Sequence, residues 1–178
     1  MKKLIAIFIT ALMLVSLCSC GSGSALSKGQ ITDEEITALV DSYIEYSRIV
    51  YYGDFEYDSS NKRELNGETC YKVTDERFST AAEWEEYVYS ILCGEPAAST
   101  AYSVFQEFNG ELYRGISTKS REYCWTDDYI YEILRNDDGR ALIRITNPEL
   151  DGSGADVDIF TFSLTSKGWR IGDAYDEE

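Results

Sequence analysis

The sequence predicts an α+β domain, with N-terminal helices packed on a mainly C-terminal antiparallel β-sheet. Three observations predict it. Two capping boxes, Thr32-Asp33-Glu34-Glu35 and Thr80-Ala81-Ala82-Glu83, each open a run of apolar residues at helical spacing. Beyond Phe105 the apolar period falls to two. Asn66-Gly67, Asn109-Gly110 and Asn136-Asp137-Asp138-Gly139 stand between extended stretches, where hairpins need turn residues. Helices followed by a meander make an α+β domain rather than a chain of βαβ units.

Taken in order, the chain opens on a leader. Lys2 and Lys3 precede about 14 residues of nearly unbroken apolar sequence, Leu4 to Leu17, and Leu17-Cys18-Ser19-Cys20 closes it. A basic start, a short apolar run and small residues at the cut read as a secretory signal over residues 1–19. The run falls short of the ~20 residues a helix needs to span a bilayer. An aliphatic residue, two small residues and then Cys is the lipoprotein pattern, with Ser19 before the cut and the Cys20 thiol as the acylation point. Cys18 fits less well, because bulky Leu17 would stand at the cut. Two acyl chains anchor stably where one does not. The expected location is therefore the outer face of the cytoplasmic membrane, as suits a Gram-positive bacterium. Residues 20–30, Gly/Ser-rich from Gly21 to Gly29, form a flexible tether, and 31–178 form a single domain.

The first helix runs from the Thr32 cap towards Gly53, a C′ stop, with Ile31 and Ile36 placed as a hydrophobic staple. Ile36, Leu39, Val40, Tyr43, Ile44, Val50 and Tyr51 recur at helical spacing as its apolar face. Short strands follow from Phe55 to Val73 about the Asn66-Gly67 turn. The second helix carries Trp84, Tyr87, Val88, Ile91 and Leu92, and Gly94 and Pro96 end it. Ala97 to Phe105 fits a short third helix. Asn109-Gly110 leads into Leu112, Tyr113 and Ile116, and Tyr129 to Arg135 and Arg140 to Thr146 flank the third turn. Asp156 to Thr165 alternates, with Phe160, Phe162 and Leu164 on one face, before Ser166-Lys167-Gly168 turns the chain into Trp169-Arg170-Ile171.

Composition narrows the chemistry. The chain of 178 residues has no histidine. That removes Ser-His-Asp and Cys-His nucleophile systems, histidine general bases and most catalytic zinc sites. Maturation would leave Cys70, Cys93 and Cys124, too few for a four-cysteine site and, at separations of 23 and 31 residues, matching no metal spacing. They read as one disulfide and a spare or as three buried thiols, the balance favouring no essential disulfide. Neither metal nor cofactor is expected. The net charge is −16, and without Lys2 and Lys3 the 16 basic residues become 14 against 32 acidic ones, a net −18. Such a balance argues against nucleic acid or anionic lipid as a partner of the domain. It suits a solvated acidic surface or a partner with a basic face.

Carboxylates remain as general acid–base candidates. Asp127-Asp128 and Asp137-Asp138 could in principle serve glycoside hydrolysis, yet each pair stands among turn residues, where Asp is expected for local hydrogen bonding. Asp151-Gly152-Ser153-Gly154-Ala155-Asp156-Val157-Asp158 lacks the ligand order and closing Glu of an EF-hand and reads as an acidic loop. Ser24 and Lys28 are wrongly spaced for Ser/Lys hydrolase chemistry. No catalytic residue is assigned, and the domain is expected not to be an enzyme. Among 14 Tyr and 3 Trp, Tyr43, Trp84 and Trp169 lie at core-facing spacing. Tyr46, Tyr52, Tyr57 and Tyr123 are candidates for an aromatic surface that binds glycan or protein.

Several stretches together resemble the bacterial DL-endopeptidase inhibitor (IseA-like) family. They are Tyr46-Ser47-Arg48-Ile49-Val50-Tyr51-Tyr52-Gly53-Asp54-Phe55, then Tyr71-Lys72-Val73-Thr74-Asp75-Glu76-Arg77-Phe78 leading into the helix with Trp84, Tyr87 and Leu92. Asn109-Gly110-Glu111-Leu112-Tyr113-Arg114 and Lys167-Gly168-Trp169-Arg170-Ile171 continue the likeness, which covers most of the chain from Thr32 onward. The resemblance implies a single α+β domain acting outside the cell and binding the papain-like NlpC/P60 catalytic domain of peptidoglycan DL-endopeptidases. Inhibition would be steric, with an acidic loop entering the substrate groove and no chemistry on the inhibitor. Asp127-Asp128 is the candidate partner-binding loop, chosen for its charge and exposed position. This chain departs from the family in its lipid anchor and its three mature cysteines. A turn followed by Trp-Arg-Ile also closes many cystatin-like (NTF2-like) domains, so that fold is the alternative, with small-ligand or glycan binding at the cell envelope. A monomer is expected.

Overall fold

A computed structural model describes residues 29–94, 97–99, 101, 104–115, 127–148 and 155–174. The expectations placed on residues 1–28, on Tyr123, on Cys124 and on 151–154 fall outside them. The described elements make an α+β fold. Helix α1 spans Asp33–Ser47 and continues into a π-helical turn, Arg48–Tyr52. Strands β1 (Tyr57–Leu65) and β2 (Glu68–Val73) precede helix α2, Ala81–Ile91. Six strands follow: β3 (Gln106–Phe108), β4 (Glu111–Gly115), β5 (Ile130–Asp137), β6 (Arg140–Pro148), β7 (Ala155–Thr165) and β8 (Gly168–Ala174). In place of one sheet there are two, each of four antiparallel strands, ordered β1-β2-β4-β3 and β5-β6-β7-β8. Residues 97–99 and 101 are helical, within the expected third helix.

Both helices begin where the capping boxes stand. The Thr32 hydroxyl accepts from the Glu35 amide at 3.2 Å while Glu35 Oε2 accepts from the Thr32 amide at 2.9 Å. Thr80 and Glu83 repeat the exchange at 3.3 and 3.0 Å, and Glu83 also accepts from the Ser79 amide and hydroxyl. Ile36, Val40 and Ile44 are buried along α1 as the spacing requires. The π turn then shifts the phase, so Ile49 points inward and Tyr51, expected on the apolar face, is 46% exposed. Gly53 closes the turn in the left-handed region, φ +71°, where a side chain is strained.

The hairpins form at the turn dipeptides. Asn66 and Gly67, and again Asn109 and Gly110, all have positive φ, as a two-residue turn matching strand twist demands. The first sheet curls. Arg63 on edge strand β1 lies 4.3 Å over the ring of Phe108 on the opposite edge strand, and Asn66 Nδ2 donates to Gln106 Oε1 at 3.0 Å. Beneath this bridge Cys70 and Tyr113 are buried, although they face away from the main core. In the second sheet Ala141, Ile143, Ile145, Phe160, Phe162, Trp169 and Ile171 turn inward to a core shared with both helices. Tyr43 meets Phe160 edge-on at 5.2 Å, and Trp84 packs against Phe78 and Phe105 at 4.8 and 4.7 Å.

Two polar ties fix the N-terminal arm and the β2–α2 connection. Gln30 Nε2 donates to the Asn136 carbonyl at 2.8 Å, Ile31 exchanges hydrogen bonds with the Asn136 amide group, and the Gly139 amide donates to the Gly29 carbonyl at 2.8 Å. Buried Asp75 accepts from the amides of Glu56 and Arg77 and, bidentately, from the Arg77 guanidinium at 2.7 and 2.6 Å. Arg77 reaches on to Glu45 of α1 at 2.7 Å.

Candidate functional site

Helix α1 and strand β5 lie side by side, and an open groove of about 740 Å³ runs between them, lined by Thr37, Asp41, Asp127, Tyr129, Ile130 and Tyr131. Its geometry follows from two periodicities. Asp33, Thr37 and Asp41 are four residues apart on α1 and share one solvent face. Tyr129 and Tyr131 are two apart at the start of β5, so both rings lean to the helix while Ile130 points the other way and is 68% exposed.

Tyrosine hydroxyls bind the two walls together. Tyr129 donates to Asp41 Oδ1 at 3.0 Å and Tyr131 to Asp33 Oδ1 at 3.0 Å. Burial, then the neighbouring carboxylate, pushes Tyr129 up to about 12, and the same two causes raise Tyr131. Both stay neutral donors at physiological pH. Asp127, immediately before β5, accepts from Arg48 Nη2 of the π turn at 3.1 Å, and its side chain is 82% exposed. Asp128 is exposed beside it. An exposed pair of this kind stabilises by at most about 1 kcal/mol, so its effect is to orient the carboxylate more than to hold the fold.

The other sequence candidates separate. Asp137 pairs with Arg135, and Asp138 packs against Gly29 at the β5–β6 turn, so both carboxylates of that pair serve local structure. Among the described residues no group of three or more Cys, Asp or Glu side chains is arranged to hold a metal ion. Cys70 is a buried, unpaired thiol that accepts a long contact from Gln106 at 3.8 Å, and burial, then Glu68 and Glu64, raise its pKa. Cys93 is half-buried next to Gly172 of β8. Tyr46, a candidate surface aromatic, is instead buried and stacks on Trp84 at 6.3 Å, because the first helix presents it to α2. Tyr57 does reach the surface, 41% exposed, against Tyr71 at 5.4 Å. A second groove of about 530 Å³, between α2 and the β7–β8 turn, is lined by Glu85, Glu86, Tyr89, Cys93, Lys167 and Arg170 among others.

Sequence reading picked out Asp127 and Asp128 and missed Asp33, Asp41, Tyr129, Tyr131 and Arg48. The 33–37–41 spacing and the Tyr-x-Tyr alternation were visible, but nothing local says that this helix face meets that strand. No protein-family model and no curated protein sequence matches the chain.

Proposed function

We propose that this protein is a lipid-anchored, extracytoplasmic inhibitor that sterically blocks peptidoglycan DL-endopeptidases of the NlpC/P60 type and so regulates cell-wall turnover. The observation that carries the reading is the setting of Asp127. Its carboxylate is 82% exposed, yet Arg48 holds it at 3.1 Å on the rim of an acidic groove. A group already oriented loses less freedom on binding. A net charge of −18 once Lys2 and Lys3 are removed with the leader would speed encounter with a basic groove on the partner, and the effect would weaken as salt rises. The anchor at Cys20 would confine inhibition to wall close to the membrane.

The test uses the chain from Gly21 to Glu178 with purified NlpC/P60 endopeptidases, following peptidoglycan hydrolysis at two salt concentrations beside a muramidase control. Dose-dependent loss of endopeptidase activity alone, relieved by salt and by Asp127→Asn with Asp128→Asn, is the expected result. Unchanged hydrolysis at every dose removes the reading.

Exposed Tyr57, packed against half-buried Tyr71, favours a second reading, a cystatin-like lipoprotein that binds glycan or another ligand at the envelope. Aromatic faces stack on sugar rings, and Tyr57→Ala would then lower retention on insoluble peptidoglycan. Equal retention of the variant removes that alternative.

A further inference from the structure

Among the described residues strand β5 pairs with β6 alone, so its other edge offers backbone donors and acceptors to whatever lies alongside. The two halves of that edge differ. Beyond Ile133 a register shift interrupts the ladder, and the Gly29–Ile31 arm is hydrogen-bonded over Asn136 and Gly139. Bulges and covering segments are the devices by which proteins blunt an edge. From Ile130 to Ile133 neither is present among the described residues. There the register with β6 is regular, the groove opens alongside, and Ile130 and Ile133 are 68% and 38% exposed.

The charge of the surroundings selects what could lie there. Asp41 and Asp127 line the groove, and Asp33 and Glu34 border the adjoining hollow on α1. The cations described beside the half-edge are already engaged, Arg48 by Asp127 and Arg144, across from it on β6, by Glu132. We propose that the Ile130–Ile133 half-edge and its groove take an extended peptide segment bearing Lys or Arg, which adds to the second sheet as a fifth strand. Its main-chain groups would meet the edge of β5 that no described strand pairs with. Alternate side chains of an extended segment point to opposite faces, so basic ones reach the α1 carboxylates while aliphatic ones lie on Ile130. A second copy of this chain is the competing occupant, disfavoured because β5 against β5 brings two acidic walls together. The proposal is independent of the hydrolase reading, since the segment binds or fails to bind whatever a peptidoglycan assay returns.

The test titrates the full chain, in non-ionic detergent, against a fluorescent ten-residue peptide alternating Lys with Ile and Thr. Anisotropy reports affinity, and hydrogen exchange with mass spectrometry reports protection at 130–133. Expected are saturable binding, added protection at 130–133, and at least tenfold weakening when the peptide carries Glu for Lys or Pro at alternate positions. Thr37→Lys and Ile130→Lys, both at exposed positions, should weaken binding tenfold or more. Val157→Lys, exposed on β7 away from the groove, should not. The proposal is overturned by absence of binding at millimolar peptide, by protection elsewhere, or by equal loss in Val157→Lys, which would mark unspecific charge attraction. Concentration-dependent dimerisation protecting 130–133 without peptide would equally overturn it in favour of the second copy.

Discussion

The guanidinium of Arg114, on strand β4, donates to the carbonyl oxygens of Ile49 and Val50 at 2.6 and 2.5 Å. A strand thus closes a helix that has no basic residue of its own in its last turn. The carbonyls at a helix C-terminus lack intrahelical partners and carry the negative end of the dipole, so a cation is favoured there. Phe55 and Phe105 flank the guanidinium at 5.4 and 5.3 Å. Desolvation lowers its pKa to about 10, and it remains charged at neutral pH.

Replacing Arg114 by Met keeps the aliphatic volume, takes the guanidinium donor from the Val50 carbonyl and leaves the Ile49 carbonyl with the Gly53 amide alone. The expected loss is about 2 kcal/mol, the cost of removing two charge-assisted hydrogen bonds at a partly buried helix end. Urea midpoints at constant m-value measure it. Arg114→Lys should recover only part, because one ammonium does not reproduce the planar fork.

Asp75 links acid sensitivity to the tie between α1 and the β2–α2 connection. Burial opposes its ionisation, but the Arg77 guanidinium and the amides of Glu56 and Arg77 outweigh it and hold the carboxyl below its usual range. A depressed folded-state pKa contributes stability that is complete above the unfolded value near 4 and is lost as pH falls through the folded value. Asp75→Asn should therefore cost about 2–3 kcal/mol at pH 7, and the deficit should shrink below pH 4. Denaturation midpoints from pH 7 to 3 follow both effects.

At the alkaline end the sign reverses. Tyr129 is raised to about 12, so its contribution is complete below pH 10 and is lost as pH climbs through 12. Tyr129→Phe should remove a component ionising near pH 12 from the tyrosinate absorbance titration, while the more deeply buried Tyr43 and Tyr87 ionise later still, and should flatten the stability decline between pH 10 and 12.

Cys70 is sealed beneath the curl of the first sheet, with no exposed surface. A thiol reagent should modify it only through opening of that sheet, at a rate that rises steeply with urea. Arg63→Ala, which removes the lid over Phe108 and Tyr113, should speed that modification at least tenfold in the absence of denaturant, as mass spectrometry of the labelled peptide would show.

Thr32→Ala and Thr80→Ala each remove half of a capping box. Each should cost about 1 kcal/mol. Circular dichroism during thermal unfolding checks both, and their effects should add, since the two caps share no partner.

Both capping boxes and the Asn-Gly hairpins were legible because each is written within four residues. Pairing is not local, and so β4 inserting between β2 and β3 had no signature in the alternation of Leu112 and Tyr113. Tyr46 shows the same limit: its spacing left it near the edge of the apolar face, and only the approach of Trp84 makes that edge interior. Within the groove the acidity of Asp127 was readable, but Arg48, 79 positions earlier, was not.

The hydrogen bonds from Gly29, Gln30 and Ile31 to Asn136 and Gly139 also settle how load enters the molecule. Tension on the chain ahead of Gly29 is delivered first to the β5–β6 hairpin and spreads across a sheet before it reaches the first turn of α1. Under the proposed anchorage at Cys20 a pull would fall on the second sheet before it reached the helix that walls the groove.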